Sequence, residues 1–174
     1  MKESMLLRKT CSIYASDIHF ATVVFPYISK EIENNTTVKT ILERNEKENI
    51  QKIIENVGLN SEIKEKIKQI DWQESDITKI REIFKLLETT KYNKKIDIIV
   101  LGSNLFIRKI NEAIDLWFKN NMDKVEKEGG QINIVNCFSF EQNKKINDIL
   151  DSHDYILKTT GIEDLMEEEL LKAN

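Results

Sequence analysis

Few side chains in this sequence stand at spacings that could support chemistry, and the clearest are Gly102-Ser103-Asn104, directly after the apolar run Ile96-Asp97-Ile98-Ile99-Val100-Leu101. Glycine followed by two short polar residues at the start of a helix can turn several backbone N–H groups toward one point and accept an anion. The same three residues also make an ordinary strand-to-helix turn in which Ser103 or Asn104 is the N-cap. A divergent phosphate site would use this turn for the anion and Asp17 or Glu43 for a metal. Against it, Ser12-Ile13-Tyr14-Ala15-Ser16-Asp17 stands where a glycine-rich loop would follow the first strand, and no Gly-Lys-Ser/Thr triplet occurs.

Other reactive residues are sparse. Cys11 and Cys137 each lie among strand-forming neighbours, where a thiol acts as a small hydrophobe, and two distant cysteines without a disulfide framework fit a reducing compartment. His19 and His153 show no metal-binding spacing. Asp151-Ser152-His153-Asp154 gathers oxygen and nitrogen ligands, yet reads equally as a solvated helix C-terminus where His153 suits the dipole. No cofactor signature is present, so a non-enzymatic role is favoured over catalysis.

These residues need a scaffold. Thr10–Ala15, Thr36–Leu42, Lys94–Leu101, Gln131–Phe140 and Tyr155–Lys158 read as strands, and the Ile96–Leu101 run is apolar enough to be the central one, covered on both faces. A further edge strand is expected at Ile67–Trp72. Helices are expected over Ile18–Asn34, capped by Ser16-Asp17, and over Glu46–Val57, Asn60–Lys66, Ser75–Glu88, Leu105–Glu128, Glu141–Ser152 and Thr160–Ala173. Pro26, the only proline, should bend the first helix near Thr22 or delay its start. Strands alternating with helices predict one α/β domain over residues 1–174: three layers, a mainly parallel sheet and helices on both faces.

Composition narrows the partners. The 174 residues carry 26 basic and 30 acidic side chains, a net charge of −4, intermixed along the chain with no basic stripe for nucleic acid. Met1–Lys9 lacks the apolar core of a signal peptide, and no run approaches the ~20 apolar residues of a membrane span, so a cytoplasmic protein is expected. The terminal stretch sets Glu163, Asp164, Glu167, Glu168 and Glu169 opposite Ile162, Leu165, Met166, Leu170 and Leu171, which would pack on its own sheet or dock a partner, a second copy included.

Cys11-Ser12-Ile13-Tyr14-Ala15-Ser16, then Val23-Val24-Phe25-Pro26-Tyr27-Ile28 and the Asn34-Asn35 turn, resemble the opening of the MEDS family, the DcmR-type sensory domain. Ile98–Gly102 is similar to the family's apolar strand ending in glycine, and Cys137 with His153 to its closing cysteine strand and helix-terminal histidine. The resemblance implies a RecA- and KaiC-like fold without a phosphate-binding loop, and a role in sensing a small ligand or relaying a signal to a protein. It makes Pro26 a family feature. Lys9, Glu31, Ser103 and Asp154 depart from the histidine, glycine, acid and proline usual at those positions. In open α/β sheets ligands bind beyond the carboxyl ends of the strands. The site is therefore expected from Tyr14, Ser16 and Asp17 beside Gly102, Ser103 and Asn104, with Cys137 and Ser139 nearby. A divergent nucleotide- or phosphate-binding enzyme and a purely structural interaction module are the alternatives.

Overall fold

The computed structural model describes residues 6–76, 78, 80–142 and 146–166. Alternation of β-branched strands with amphipathic helices gives β1 (Leu7–Tyr14), α1 (Asp17–Glu33), β2 (Thr37–Leu42), α2 (Glu46–Asn56), α3 (Ser61–Lys68), α4 (Ile80–Thr89) and β3 (Lys95–Leu101). There follow α5 (Asn104–Glu128), β4 (Gln131–Ser139), α6 (Ile146–Asp151), β5 (Tyr155–Lys158) and β6 (Gly161–Asp164). The strands form one sheet in the order β2-β3-β4-β1-β5-β6, parallel throughout except for the β5–β6 hairpin.

The result is the three-layer α/β class expected. Side chains alternate across each strand, so Ile96, Ile98 and Val100 of β3 pack with α4, α5 and α6, while Ile99 and Leu101 pack with α1, α2 and α3. We call these the α5 face and the α1 face. Both cores mix aliphatic and aromatic side chains, and burial of the large ones supplies the main stabilisation, roughly 1.5–3 kcal/mol for each Val, Leu, Ile or Phe. Among the described residues no helix is long and apolar enough to cross a membrane.

Local chemistry sets the element ends. Ser16 is extended and its side chain accepts the His19 N–H at 3.1 Å, starting α1. The helix runs from Asp17 through Pro26, so the proline does not delay its start; Pro26 lacks only the N–H that would reach Thr22. Gly129 closes α5 with a φ of 77°, a left-handed conformation that costs glycine little.

Several expectations need correction. β3 is interior but second from the sheet edge, and the middle belongs to β4 and β1. Ile67–Trp72 is not a strand: Ile67 lies in α3, and the Trp72 indole N–H returns to the Ile67 carbonyl at 3.2 Å. The edge of β2 is met instead by a single bridge from Glu74 to Leu42. α4 begins at Ile80 rather than at Ser75, and residues 77 and 79 lie outside the described residues. α6 spans only Ile146–Asp151 of the Glu141–Ser152 segment, of which 143–145 are likewise outside. The start of the expected terminal helix is instead β6, reached through Gly161 at a φ of 118°. Its remainder, 167–174, lies outside the described residues, and with it most of the amphipathic stripe.

Candidate ligand cavity

The turn after β3 is spoken for by the chain itself. Glu43, the first residue after β2, places its carboxylate against the turn and accepts the Ser103 N–H at 2.6 Å and the Ser103 hydroxyl at 3.2 Å. The same hydroxyl accepts the Phe106 N–H at 3.3 Å and caps α5. Gly102 is required by this approach, because a Cβ there would lie 2.6 Å from the Phe106 ring and 2.8 Å from Glu43. The turn is thus a helix cap that already holds an anion.

On the α1 face, the carboxyl ends of β1 and β4 frame a recess of about 310 Å³ lined by Tyr14, Asp17 and Ser139 together with Glu46, Lys52 and Leu101. The sequence brings these three expected residues together because β1 and β4 are adjacent, with Tyr14 opposite Ser139 in the register. Burial first, then the neighbouring acids Glu43, Asp17 and Glu74, raise the Glu46 carboxyl, while its bond from Asn49 opposes them. The Tyr14 phenol is raised by burial first and then by Cys137, Glu46 and Asp17. Ser16 is used as the α1 cap, and Cys137 is fully buried.

A larger opening lies on the α5 face, about 730 Å³, between α5 and α6 above β4. Its floor is Ile107, Phe138 and Ile149, and its polar wall is a connected set of Asn111, Asn136 and His153. The two asparagines exchange amide hydrogen bonds: Asn111 donates to Asn136 at 2.8 Å, and Asn136 donates back at 3.0 Å. The second N–H of Asn136 reaches His153 Nε2 at 3.0 Å, and that of Asn111 reaches the Ile107 carbonyl at 2.8 Å. His153 Nδ1 stands 2.7 Å from the Ile149 carbonyl, which can only accept, so the ring is the neutral Nδ1–H tautomer. Burial lowers the His153 pKa, assisted by Lys9 and opposed by the Ile149 bond and Asp154. Its ring meets Phe138 edge-on at 5.6 Å. At the far wall Lys9 donates to Asp115 at 2.7 Å.

Of the eight expected site residues, only Asn104 lines this cavity. Asn111, Asn136, Phe138 and Asp115 were missed. One signal was available: asparagine is depleted in strands, and Asn133 and Asn136 interrupt an otherwise apolar run. His153, expected in a solvated helix end, is instead turned inward, although it does serve the α6 terminus by donating to the Ile149 carbonyl. Beside the cavity the Lys9 N–H donates to Asp154 at 3.2 Å.

Neither thiol offers a nucleophile. Burial pushes Cys11 and Cys137 up to about 12 each, the Cys11 N–H only partly offsetting it in the first and the Cys11 sulfur adding to it in the second. Both are free and buried. No grouping of His, Cys, Asp or Glu suited to a metal occurs among the described residues. The chain matches no protein-family model and no curated protein.

Proposed function

We propose that the protein is a non-enzymatic sensory or regulatory domain that binds a small molecule in the cavity between α5 and α6 and relays its occupancy to a protein partner. The observation that carries the reading is the cavity's make-up: an apolar floor large enough for a metabolite-sized ligand, with a few convergent polar groups fixed by their own hydrogen bonds. Pockets of this volume and composition are the usual form of small-molecule sites. The sensory role implied by the MEDS resemblance agrees with it, and buried free thiols fit the reducing cytoplasm. The phosphate-binding alternative is disfavoured, because Glu43 holds the Ser103 N–H that an anion would need.

A thermal-shift screen of small metabolites tests the proposal. A true ligand at 100 times its dissociation constant raises the unfolding free energy by about 2.7 kcal/mol. Ser152→Trp, at the exposed rim, should abolish that gain by filling the mouth, whereas Ser139→Ala in the α1-face recess should leave it intact. The reverse pattern would move the site to the recess.

A further inference from the structure

We infer that the α5-face cavity selects organic cations that donate hydrogen bonds, an ammonium or guanidinium group on a short apolar body, and excludes carboxylates and phosphates. This rests on the ligand-binding reading above and names the class of molecule.

The inference comes from counting donors. A site for an anion must keep N–H or O–H groups unspent, and the asparagine, histidine and serine groups of this wall have spent theirs. Asn111 uses both amide hydrogens on Ile107 and Asn136, and Asn136 uses both on Asn111 and His153. The His153 Nδ1–H and the Ser152 hydroxyl both go to the Ile149 carbonyl, at 2.7 and 2.9 Å. Lys9, the cation of the deep wall among the described residues, is paired with Asp115 through one of its three ammonium N–H groups. What the wall retains is acceptor capacity. Each asparagine carbonyl accepts one hydrogen bond within the network and has a second lone pair, and Asp115 pairs with Lys9 through Oδ2, leaving Oδ1. An entering carboxylate would face mainly carbonyl and carboxylate oxygens, and the donors left to replace its water sit on Lys9, already paired with Asp115, and on the exposed Arg108 and Gln142.

Charge points the same way. The described lining contains Glu112, Asp115, Glu141 and Asp148 against Lys9 and Arg108. Arg108 is held at 3.9 Å from Glu112 on its own helix, while Glu141 and Asp148 carry no ion pair among the described residues. An ammonium group at the mouth therefore meets a negative field, and its apolar tail meets Ile107, Phe138 and Ile149.

Titration with a matched set of hexylammonium, hexan-1-ol and hexanoate, followed by NMR of the Asn111 and Asn136 side-chain amides, tests the class. Hexylammonium should move these signals and bind at least about tenfold more tightly than hexanoate, with hexan-1-ol between them. Asp115→Asn, at a half-exposed position, removes the counter-ion of Lys9 and should lower hexylammonium affinity far more than hexan-1-ol affinity, so that most of the cation preference is lost. Hexanoate binding as tightly as hexylammonium in the wild type overturns the cation assignment and leaves the cavity as a ligand site. If none of the three moves the amide signals, the inference falls, and the metabolite screen alone decides the broader reading.

Discussion

Each face of the sheet buries one polar network, and each is anchored on an asparagine of β4: Asn133 on the α1 face and Asn136 on the α5 face. The two lie an odd number of residues apart, so the pleat sends them in opposite directions. Around Asn133, the side-chain N–H groups reach Asp97 and the Tyr27 hydroxyl, both at 3.2 Å, and its carbonyl accepts from Thr10 at 2.8 Å. Tyr27 donates to Asp97 at 2.7 Å, and Lys95 approaches Asp97 at 3.9 Å while donating to Glu31 at 2.9 Å. Asp97, Asn133 and Thr10 are buried beneath Tyr27 of α1, and Lys95 at the end of the network is partly exposed. The Asn136 network is just as fully bonded, yet one side of it lines a cavity. A buried network can only fix the fold. One that borders an opening can also read what enters it.

The comparison breaks most visibly in stability. Asn133→Leu leaves Thr10 without its partner and takes one hydrogen bond each from Asp97 and Tyr27, and chemical denaturation should show a loss on the order of 2–4 kcal/mol. Equality with Asn136→Leu would mean that water reaches the Asn133 network as well.

The pH dependence sharpens it next. Burial pushes the Asp97 carboxyl up to about 6, with Lys95, Tyr27 and Asn133 opposing the shift and Glu31 adding to it. The folded state then binds more protons than the unfolded one between about pH 4 and 6, so this group favours folding below about 4 and loses that contribution as pH rises through 6. His153 works in the opposite sense. Its lowered pKa keeps the folded ring neutral while the unfolded ring protonates below about 6.5, so acid removes stability. In the wild type the two slopes oppose each other below about pH 6. Asp97→Asn should leave a stability that rises with pH where the histidine titrates, and His153→Gln one that falls between about pH 4 and 6, by up to about 3 kcal/mol in urea denaturation. Identical slopes in both variants would contradict the assignments.

Asn136→Leu should cost less than its counterpart, about 1–2 kcal/mol, because water in the cavity can satisfy Asn111 and His153. The smallest effect is expected at the turn after β3. Ser103→Ala removes a helix cap and one of the two bonds to Glu43, for about 1 kcal/mol of unfolding free energy, with no change in ligand binding.

The layering was legible in the sequence because it depends on local period: strands of alternating or continuous apolar residues and helices at 3.6 spacing each point to a face without knowledge of the partner. Errors fell where tertiary pairing outweighs local preference. Trp72 looked like a strand residue because its burial comes from folding back on α3. Gly161–Asp164 looked helical because only the adjacent β5 makes it a strand. Little of the proposed site was legible. Tyr14, Asp17 and Ser139 do share a recess, since all three lie at or just past strand ends, but that recess is not the cavity between α5 and α6, which only Asn104 of the expected residues lines. Asn111, Asn136 and His153 were not, because their meeting depends on how α5 and α6 cross β4, which no spacing in the chain records.

Following the side-chain amides of Asn133 and Asn136 in one NMR titration with a hit from the metabolite screen tests the central claim most directly. The Asn136 signals should shift in step with occupancy while those of Asn133 stay fixed. Shifts at Asn133, Tyr14 or Ser139 with Asn136 unmoved would contradict the account.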